Sequence, residues 1–306
     1  CRCGARSPHN GWFTKENTMH ALQAWGAALE TDKLEQWRTS EGGTAPVNRT
    51  LVGIVMAGNI PLVGLHDFLA VFLSGHHALI KLSSDDAQLL PVVLKVLVRQ
   101  DPLFEADFTV VERLEDLAAV IATGSDNTSR YFEHYFGRYP NIIRKNRTSV
   151  AVLDGSESDD ELKALGEDIF RYFGLGCRNV SHVLLPAGFD VQRIFANIVD
   201  YSDVINNNKY GNNYDYYRAI FLLNQDDFLE NGFLLTRESD FLHTPVAQLH
   251  YSFYPSKEAL EARLAEWNDK LQCIVGHDYL PFGSAQTPEL WDYADGVNTL
   301  QFLKNL

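Results

Sequence analysis

A chain of 306 residues, 45% hydrophobic and 22% charged, holds ample core material for one large domain or two intimate ones. Its formal net charge of −14 argues against a nucleic-acid binder, because nothing would neutralise phosphates at a distance. The longest apolar stretch, Ile60 to Ser74, is broken by Gly64, His66 and Asp67, so no membrane span is expected.

In chain order, a helical pattern covers Glu16 to Leu29. Leu51 to Met56 is an apolar run of buried-strand type. The turn Ala57-Gly-Asn-Ile-Pro61 leads into a buried helix, Leu62 to Leu73, closed by Ser74-Gly75. Ala78 to Leu82 is a second strand, and Asp85 or Asp86 starts a helix running through Leu89 to Val98. Phe108 to Glu112 and Ala119 to Ala122 are further strands, followed by Thr123-Gly-Ser-Asp126 and a helix from Asn127 to Phe136. Strands alternating with helices at this spacing predict βαβ units and a mostly parallel sheet.

A second series opens with a strand at Ser149 to Leu153 and an amphipathic run from Glu161 to Phe173. The strand Ser181 to Pro186 and the helix Val191 to Val204 come next. Asn206 to Asp215 is a loop by composition. Tyr217 to Leu223 and Val246 to Tyr254 resemble strands, and Lys257 to Leu271 is an amphipathic helix. The tail carries a short strand-like run, then Phe282-Gly-Ser-Ala-Gln-Thr287 and Gly296 to Phe302.

The most informative stretch is Gly174-Leu-Gly-Cys-Arg-Asn179, between the amphipathic run and a strand. Glycines on its N-terminal side let a carbonyl approach the sulfur, and a thiolate attacks thioesters and aldehydes readily. On this segment alone a small buried hydrophobe is the blander reading. Only Cys1, Cys3, Cys177 and Cys273 occur, with no disulfide framework, which is the reduced usage of a cytoplasmic protein. No His/Cys cluster has metal spacing, and the adjacent His76 and His77 would point different ways, so no metal is expected. The chain starts at Cys1 without a signal-like apolar segment and reads as lacking residues ahead of it.

The order strand, Gly-Asn-Ile-Pro turn, helix, Ile-Lys-Leu-Ser-Ser, Thr-Gly-Ser and Gly-x-Gly-Cys resembles the aldehyde dehydrogenase superfamily. More specifically it resembles the acyl-CoA reductase branch typified by the fatty-acid reductase of bacterial bioluminescence. The resemblance implies an α/β aldehyde dehydrogenase-like fold. A parallel-sheet dinucleotide-binding domain would comprise residues 1–148 with 271–306, and an α/β catalytic domain residues 149–270. It implies Cys177 as nucleophile and Asn59 as an oxyanion-hole amide. It implies Lys81 on the adenosine ribose, and Gly124 and Ser125 at a helix N-terminus beside the diphosphate, where free N–H groups favour anions. Taken singly, Asn59 reads as a turn former, Lys81 as a surface residue and Gly124-Ser125 as a helix cap. The order of all of them ahead of Cys177 is what carries the functional reading.

Two departures sharpen it. Aldehyde-oxidising members carry a Glu-Leu-Gly-Gly motif whose glutamate activates the deacylating water. The matching stretch here, Asn141 to Thr148, has no carboxylate, so a thiol leaving group becomes the natural partner. The superfamily glutamate on the nicotinamide ribose is replaced near Phe241 to Pro245. Lys209, Tyr210 and Asn213 look like a branch feature without an assigned role. Leu82, Ser83 and Ser84 follow Lys81 where NAD-favouring members place a glutamate, so NADPH is the expected cofactor, with NADH left open. Asp85 or Asp86 would restore an NAD preference if either faced the ribose. The expected activity is reduction of a fatty acyl-CoA thioester to the aldehyde. The alternatives are another aldehyde or acyl-phosphate dehydrogenase, or a non-catalytic nucleotide-binding subunit. The expected partners are an acyl-CoA substrate and, as an open option, a second copy of the chain, with no nucleic acid.

Overall fold

The computed structural model describes residues 10–40, 48–124 and 126–306. The chain divides into two compact units, Cys1–Asn146 with Glu289–Leu306, and Arg147–Pro288.

The first unit opens with helices α1 (Lys15–Ala28) and α2 (Thr31–Ser40). The Thr14 hydroxyl accepts the Asn17 N–H at 3.2 Å and caps α1. The elements β1 (Leu51–Val55), α3 (Leu65–Leu73), β2 (His77–Lys81), α4 (Leu89–Gln100), β3 (Phe108–Val110), β4 (Ala119–Thr123), α5 (Asp126–Phe136) and β5 (Asn141–Arg144) follow. The strands form one sheet in the order β3-β2-β1-β4-β5, and all its pairings are parallel. Val52, Ile54, Ala78, Ile80 and Ile121 are fully buried, as expected of a sheet covered on both faces. That is why these strands read as continuous apolar runs. Phe68 and Val71 of α3 and Leu90 and Leu94 of α4 belong to the same core. The chain returns to this unit with α10 (Thr299–Lys304), whose Leu300 and Leu303 join that core. Arg144 of β5 pairs with Asp67 of α3 and donates to Thr299 Oγ1 at 3.0 Å. Both charged side chains are 6% exposed.

The second unit holds β6 (Thr148–Val152), α6 (Asp159–Phe170), β7 (Val180–Pro186), α7 (Gln192–Asn197), α8 (Asn208–Asn224), β8 (Leu229–Glu230), β9 (Leu235–Glu238), β10 (Gln248–Tyr254), α9 (Lys257–Trp267) and β11 (Leu271–Val275). Its sheet runs β11-β6-β7-β10-β9-β8, parallel except for the β8–β9 pair. A capping box starts α6: Ser158 Oγ accepts the Glu161 N–H while the Glu161 carboxylate accepts the Ser158 N–H. Leu260 and Trp267 of α9 pack with Val150, Val152 and Leu184.

Three expectations are corrected. Asn206 to Asp215 is not a loop, and Tyr217 to Leu223 is not a strand: α8 spans most of both. The Asn207 side chain caps this helix by accepting the Lys209 and Tyr210 N–H groups, and the Asn213 amide donates back to Lys209 O at 2.8 Å. An asparagine-rich composition that signals a turn serves here as a cap and a back-bonded helix face. The first unit does not resume at residue 271. Instead β11 pairs with β6 in the second sheet, and the return begins at Glu289.

Candidate active site

Cys177 lies in the turn between α6 and β7, half-buried and not in a disulfide. The approach to it is unusual backbone. Tyr172 (φ 55°), Phe173 (φ 59°) and Gly174 (φ 74°) are consecutive left-handed residues. Two of them carry side chains, and each such residue costs about 1–2 kcal/mol. Burial holds the cost in place: Tyr172 is 6% and Phe173 7% exposed. Strain of this kind persists where surrounding structure over-determines it, and it concentrates at functional sites.

Asn179 is what fixes the turn. Its Oδ1 accepts the Gly176 N–H at 2.8 Å. Its Nδ2 donates to Asp168 O at 3.0 Å and Arg171 O at 2.8 Å, closing the carbonyl end of α6. The Asn179 N–H also bonds Gly176 O at 3.0 Å. On the other side, the buried Ser149 hydroxyl donates to Cys177 O at 3.1 Å and stands 3.0 Å from Cys273 Sγ. Sequence reasoning passed over Asn179 and Ser149. The available signal was an asparagine two residues after the cysteine, close behind the end of an amphipathic run.

In the first unit, connectivity reverses between β1 and β4, since β1 leads outward to β2 and β3 on one side and β4 to β5 on the other. Ligands of parallel α/β sheets bind outside the carboxyl ends of the strands at such a point. The loops at those ends carry the expected residues. Asn59 is exposed, four residues beyond the end of β1. Lys81 ends β2 and is exposed, with Ser83 half-buried and Ser84 exposed. Gly124 follows β4, two residues ahead of the start of α5. Ser125 lies outside the described residues. The β1 and β2 loops meet: a Cβ on Gly58 would stand 2.5 Å from Ser83 Oγ. The buried Asn10, missed by sequence reasoning, ties both loops by donating to Gly58 O and Asp85 O, each at 3.3 Å. A Cβ on Gly124 would stand 2.9 Å from Phe132 and 3.0 Å from Thr128, so only a bare backbone fits ahead of α5. The switch point of the parallel sheet and the helix start behind Gly124 are the kind of place that suits a dinucleotide phosphate. Asp86 does not stand free beside them. It is 8% exposed, its Oδ1 accepts the Leu89 N–H at 3.0 Å, and burial pushes its carboxyl above the usual range.

Other singled-out residues have structural duties. Tyr210 is buried with its hydroxyl donating to Phe233 O at 2.9 Å. Lys209 is exposed on the first turn of α8. Phe241 is 73% exposed, but its carbonyl sits 3.2 Å from Nδ1 of His182 and 2.8 Å from Nδ1 of His250, both buried. Burial lowers His182 to about 4 and lowers His250 as well, so both rings are neutral at pH 7. His76 and His77 do part company: His76 Nε2 meets Leu303 O and His77 Nδ1 meets Ala106 O. Among the described residues, Asp154, Glu157 and His277 form one group of metal-ligating types that sequence spacing did not reveal. His277 is held there between two carboxylates, with Nδ1 2.9 Å from Asp154 and Nε2 3.0 Å from Glu161. Glu157 is occupied by the Asp154 and Gly155 N–H groups.

A model of the acyl-CoA reductase family LuxC matches residues 14–197. The chain belongs to this family. No curated protein matches it. Among solved structures it is similar to an NAD-dependent benzaldehyde dehydrogenase from Corynebacterium glutamicum. The TM-score is 0.61 at 14% identity, covering 87% of this chain and 70% of that one. An NAD-dependent aldehyde dehydrogenase from Sinorhizobium meliloti gives 0.57 at 13% identity, covering 74% and 54%. A Mycobacterium tuberculosis aldehyde dehydrogenase complexed with NAD+ gives 0.54 at 14%, covering 70% and 54%. The LuxC-family chain therefore has the aldehyde dehydrogenase-like fold, and it spans about half the length of the latter two proteins. No helix of the described residues is long and apolar enough to cross a membrane.

Proposed function

We propose that this LuxC-family chain reduces a fatty acyl-CoA thioester to the aldehyde through an acyl group carried on Cys177. One observation carries the reading: the cysteine of the family's Gly-x-Gly-Cys stretch sits on a strained turn pinned from both sides by Asn179 and Ser149. The Cys177 thiolate attacks the thioester carbonyl carbon. The carbon–sulfur bond to CoA then breaks, and the CoA thiolate leaves and takes up a proton. Backbone N–H groups of the Cys177 turn hold the oxyanion, and the Asn59 amide is assigned the role of second donor. Such a donor is worth about 3–4 kcal/mol. The nicotinamide cofactor, when bound, supplies the hydride that converts the acyl carbon to the aldehyde level. The bond to Cys177 then breaks and regenerates the thiolate.

The Asn141–Thr148 stretch supports CoA rather than water as the partner. It holds no carboxylate to act as base, and its buried charge, Arg144, is committed to Asp67. Lys81, Ser83, Ser84, Gly124 and Ser125 are the residues proposed to hold the cofactor. NADPH is favoured because Lys81 and two serine hydroxyls suit a 2′-phosphate and because the Asp86 carboxyl is spent on its own loop. The test is incubation with long-chain acyl-CoA in the absence of cofactor, followed by mass mapping. An acyl adduct on Cys177, released as aldehyde on adding NADPH and absent in Cys177→Ala, is expected. Acylation of Cys273 instead, or turnover by Cys177→Ala, refutes the reading.

A further inference from the structure

Asp168 is a buried carboxylate for which the proposed reaction has no use. It is fully buried in the last turn of α6. That is the wrong end of a helix for a negative charge, because the dipole there is also negative. It is desolvated as well. A residue that breaks local rules this way is where a functional duty is expected.

Its contacts name the duty. Oδ2 accepts the Gly283 N–H at 2.6 Å and Oδ1 accepts the Ala285 N–H at 2.9 Å. The carboxylate thus holds the turn Pro281 to Gln286, the Phe-Gly-Ser-Ala-Gln segment of the tail. Gly283 must be left-handed (φ 82°), and a Cβ there would stand 3.2 Å from Ala164 of α6, so the turn lies flat on the helix. The same turn grips the residue after the nucleophile, since Arg178 Nε donates to Ala285 O at 2.5 Å. Meanwhile the backbone carbonyl of Asp168 accepts from Asn179, two residues after the nucleophile. Cys177 is therefore flanked by two anchors that both end on Asp168.

We propose that Asp168 is the positioning residue of the nucleophile: its ionised carboxylate clamps the 281–286 turn, which through Arg178 holds the Cys177 turn in its reactive geometry. The inference rests on Cys177 being the reactive thiol. Protonation places an O–H where an acceptor is needed, so one of the two N–H bonds is lost and the clamp opens. Burial raises the Asp168 carboxyl to about 6, with Glu167 pushing the same way and Arg178 opposing. Among the described residues, Tyr201 also interacts electrostatically with it. Opening accordingly falls within an accessible pH range. A purely electrostatic role has the opposite sign, because removing a negative charge near a thiol favours the thiolate and speeds its reactions.

The test is alkylation by iodoacetamide between pH 5 and 8, with Cys177 and Cys273 quantified separately by mass spectrometry. A thiol that only titrates loses about tenfold in rate per pH unit. In the wild-type chain Cys177 is expected to fall more steeply than this below pH about 6, while Cys273 keeps the simple slope. In Asp168→Asn the extra fall disappears, and Cys177 reacts about tenfold more slowly than wild type at pH 8, relative to Cys273. Three outcomes overturn the proposal: parallel wild-type profiles for the two thiols, an Asp168→Asn chain matching wild type within about twofold, or faster alkylation in that variant. If Asp168→Asn does not fold, the wild-type profiles decide by themselves. Acyl-CoA labelling of another residue beside an intact pH break for Cys177 would refute the acyl-carrier role and leave the clamp standing.

Discussion

Replacing Asn179 with alanine tests whether one amide builds the nucleophile turn. The side chain is in a residue only 2% exposed. It makes three good hydrogen bonds, at 2.8 Å to the Gly176 N–H, 3.0 Å to Asp168 O and 2.8 Å to Arg171 O. At about 1 kcal/mol net each, with the partners left in a poorly hydrated site, the loss is about 3 kcal/mol. For a chain of 306 residues, at about 2.1 cal/mol/K of unfolding entropy per residue, that corresponds to a fall in Tm of about 5 °C. Asn179→Asp gives a sharper result. Its one oxygen still accepts from Gly176, but the other faces three carbonyl oxygens, those of Asp168, Ile169 and Arg171. The carboxyl is then easier to protonate when folded than when unfolded. The folded state binds more protons over that interval, so the stability deficit is largest at neutral pH and shrinks as pH falls. Urea unfolding at pH 7 and pH 5, read alongside iodoacetamide labelling of Cys177, measures both. A cost below about 1 kcal/mol for Asn179→Ala with unchanged Cys177 labelling would refute the claim that this amide shapes the turn.

Asn59→Ala is expected to lower kcat by about 10²–10³ with little change in Tm, since the side chain is exposed; a stability loss that accounts for all the lost activity would return Asn59 to a turn former. Comparison of kcat/KM for the two cofactors should favour NADPH, and a preference for NADH of about tenfold, about 1.4 kcal/mol, rejects the Ser83–Ser84 argument. Arg144→Met leaves Asp67 charged and buried and should cost about 3–5 kcal/mol in chemical denaturation, whereas adding Asp67→Leu should recover most of it; equal destabilisation by the single and double variants contradicts this. His277 is raised above 6.5, chiefly by its hydrogen bonds to Asp154 and Glu161. Its contribution is therefore complete below pH 6.5 and disappears as pH rises through the elevated value, so His277→Gln should destabilise at pH 5.5 and be silent at pH 9. An NMR titration placing His277 at or below 6.5 contradicts the pairing.

The local patterning of the first sheet was legible in the amino-acid order alone. Strands buried on both faces read as apolar runs, and Leu51 to Met56 and Ala119 to Ala122 follow that pattern, with short length and flanking turns favouring strand over helix. Connections around Gly58, Gly75 and Gly124 need turns or close packing, and glycine advertises them. The cysteine was visible because Gly-Leu-Gly-Cys is odd at a helix-to-strand junction. The α8 region departs from what its composition signals for a physical reason. Asparagines favour turns and caps through the same side-chain bonds to backbone, and which one forms depends on what Tyr210 and Tyr214 pack against, far along the chain. Tertiary structure alone decided the strand return, because the pairing of β11 with β6 joins segments more than a hundred residues apart. It alone brought Gly283 and Ala285 onto Asp168, and Ser149 onto Cys177 and Cys273. Periodicity reports which face of an element is buried. The partner of a buried polar group is chosen only when that face meets another, since a desolvated donor or acceptor must find its bond wherever the fold supplies one.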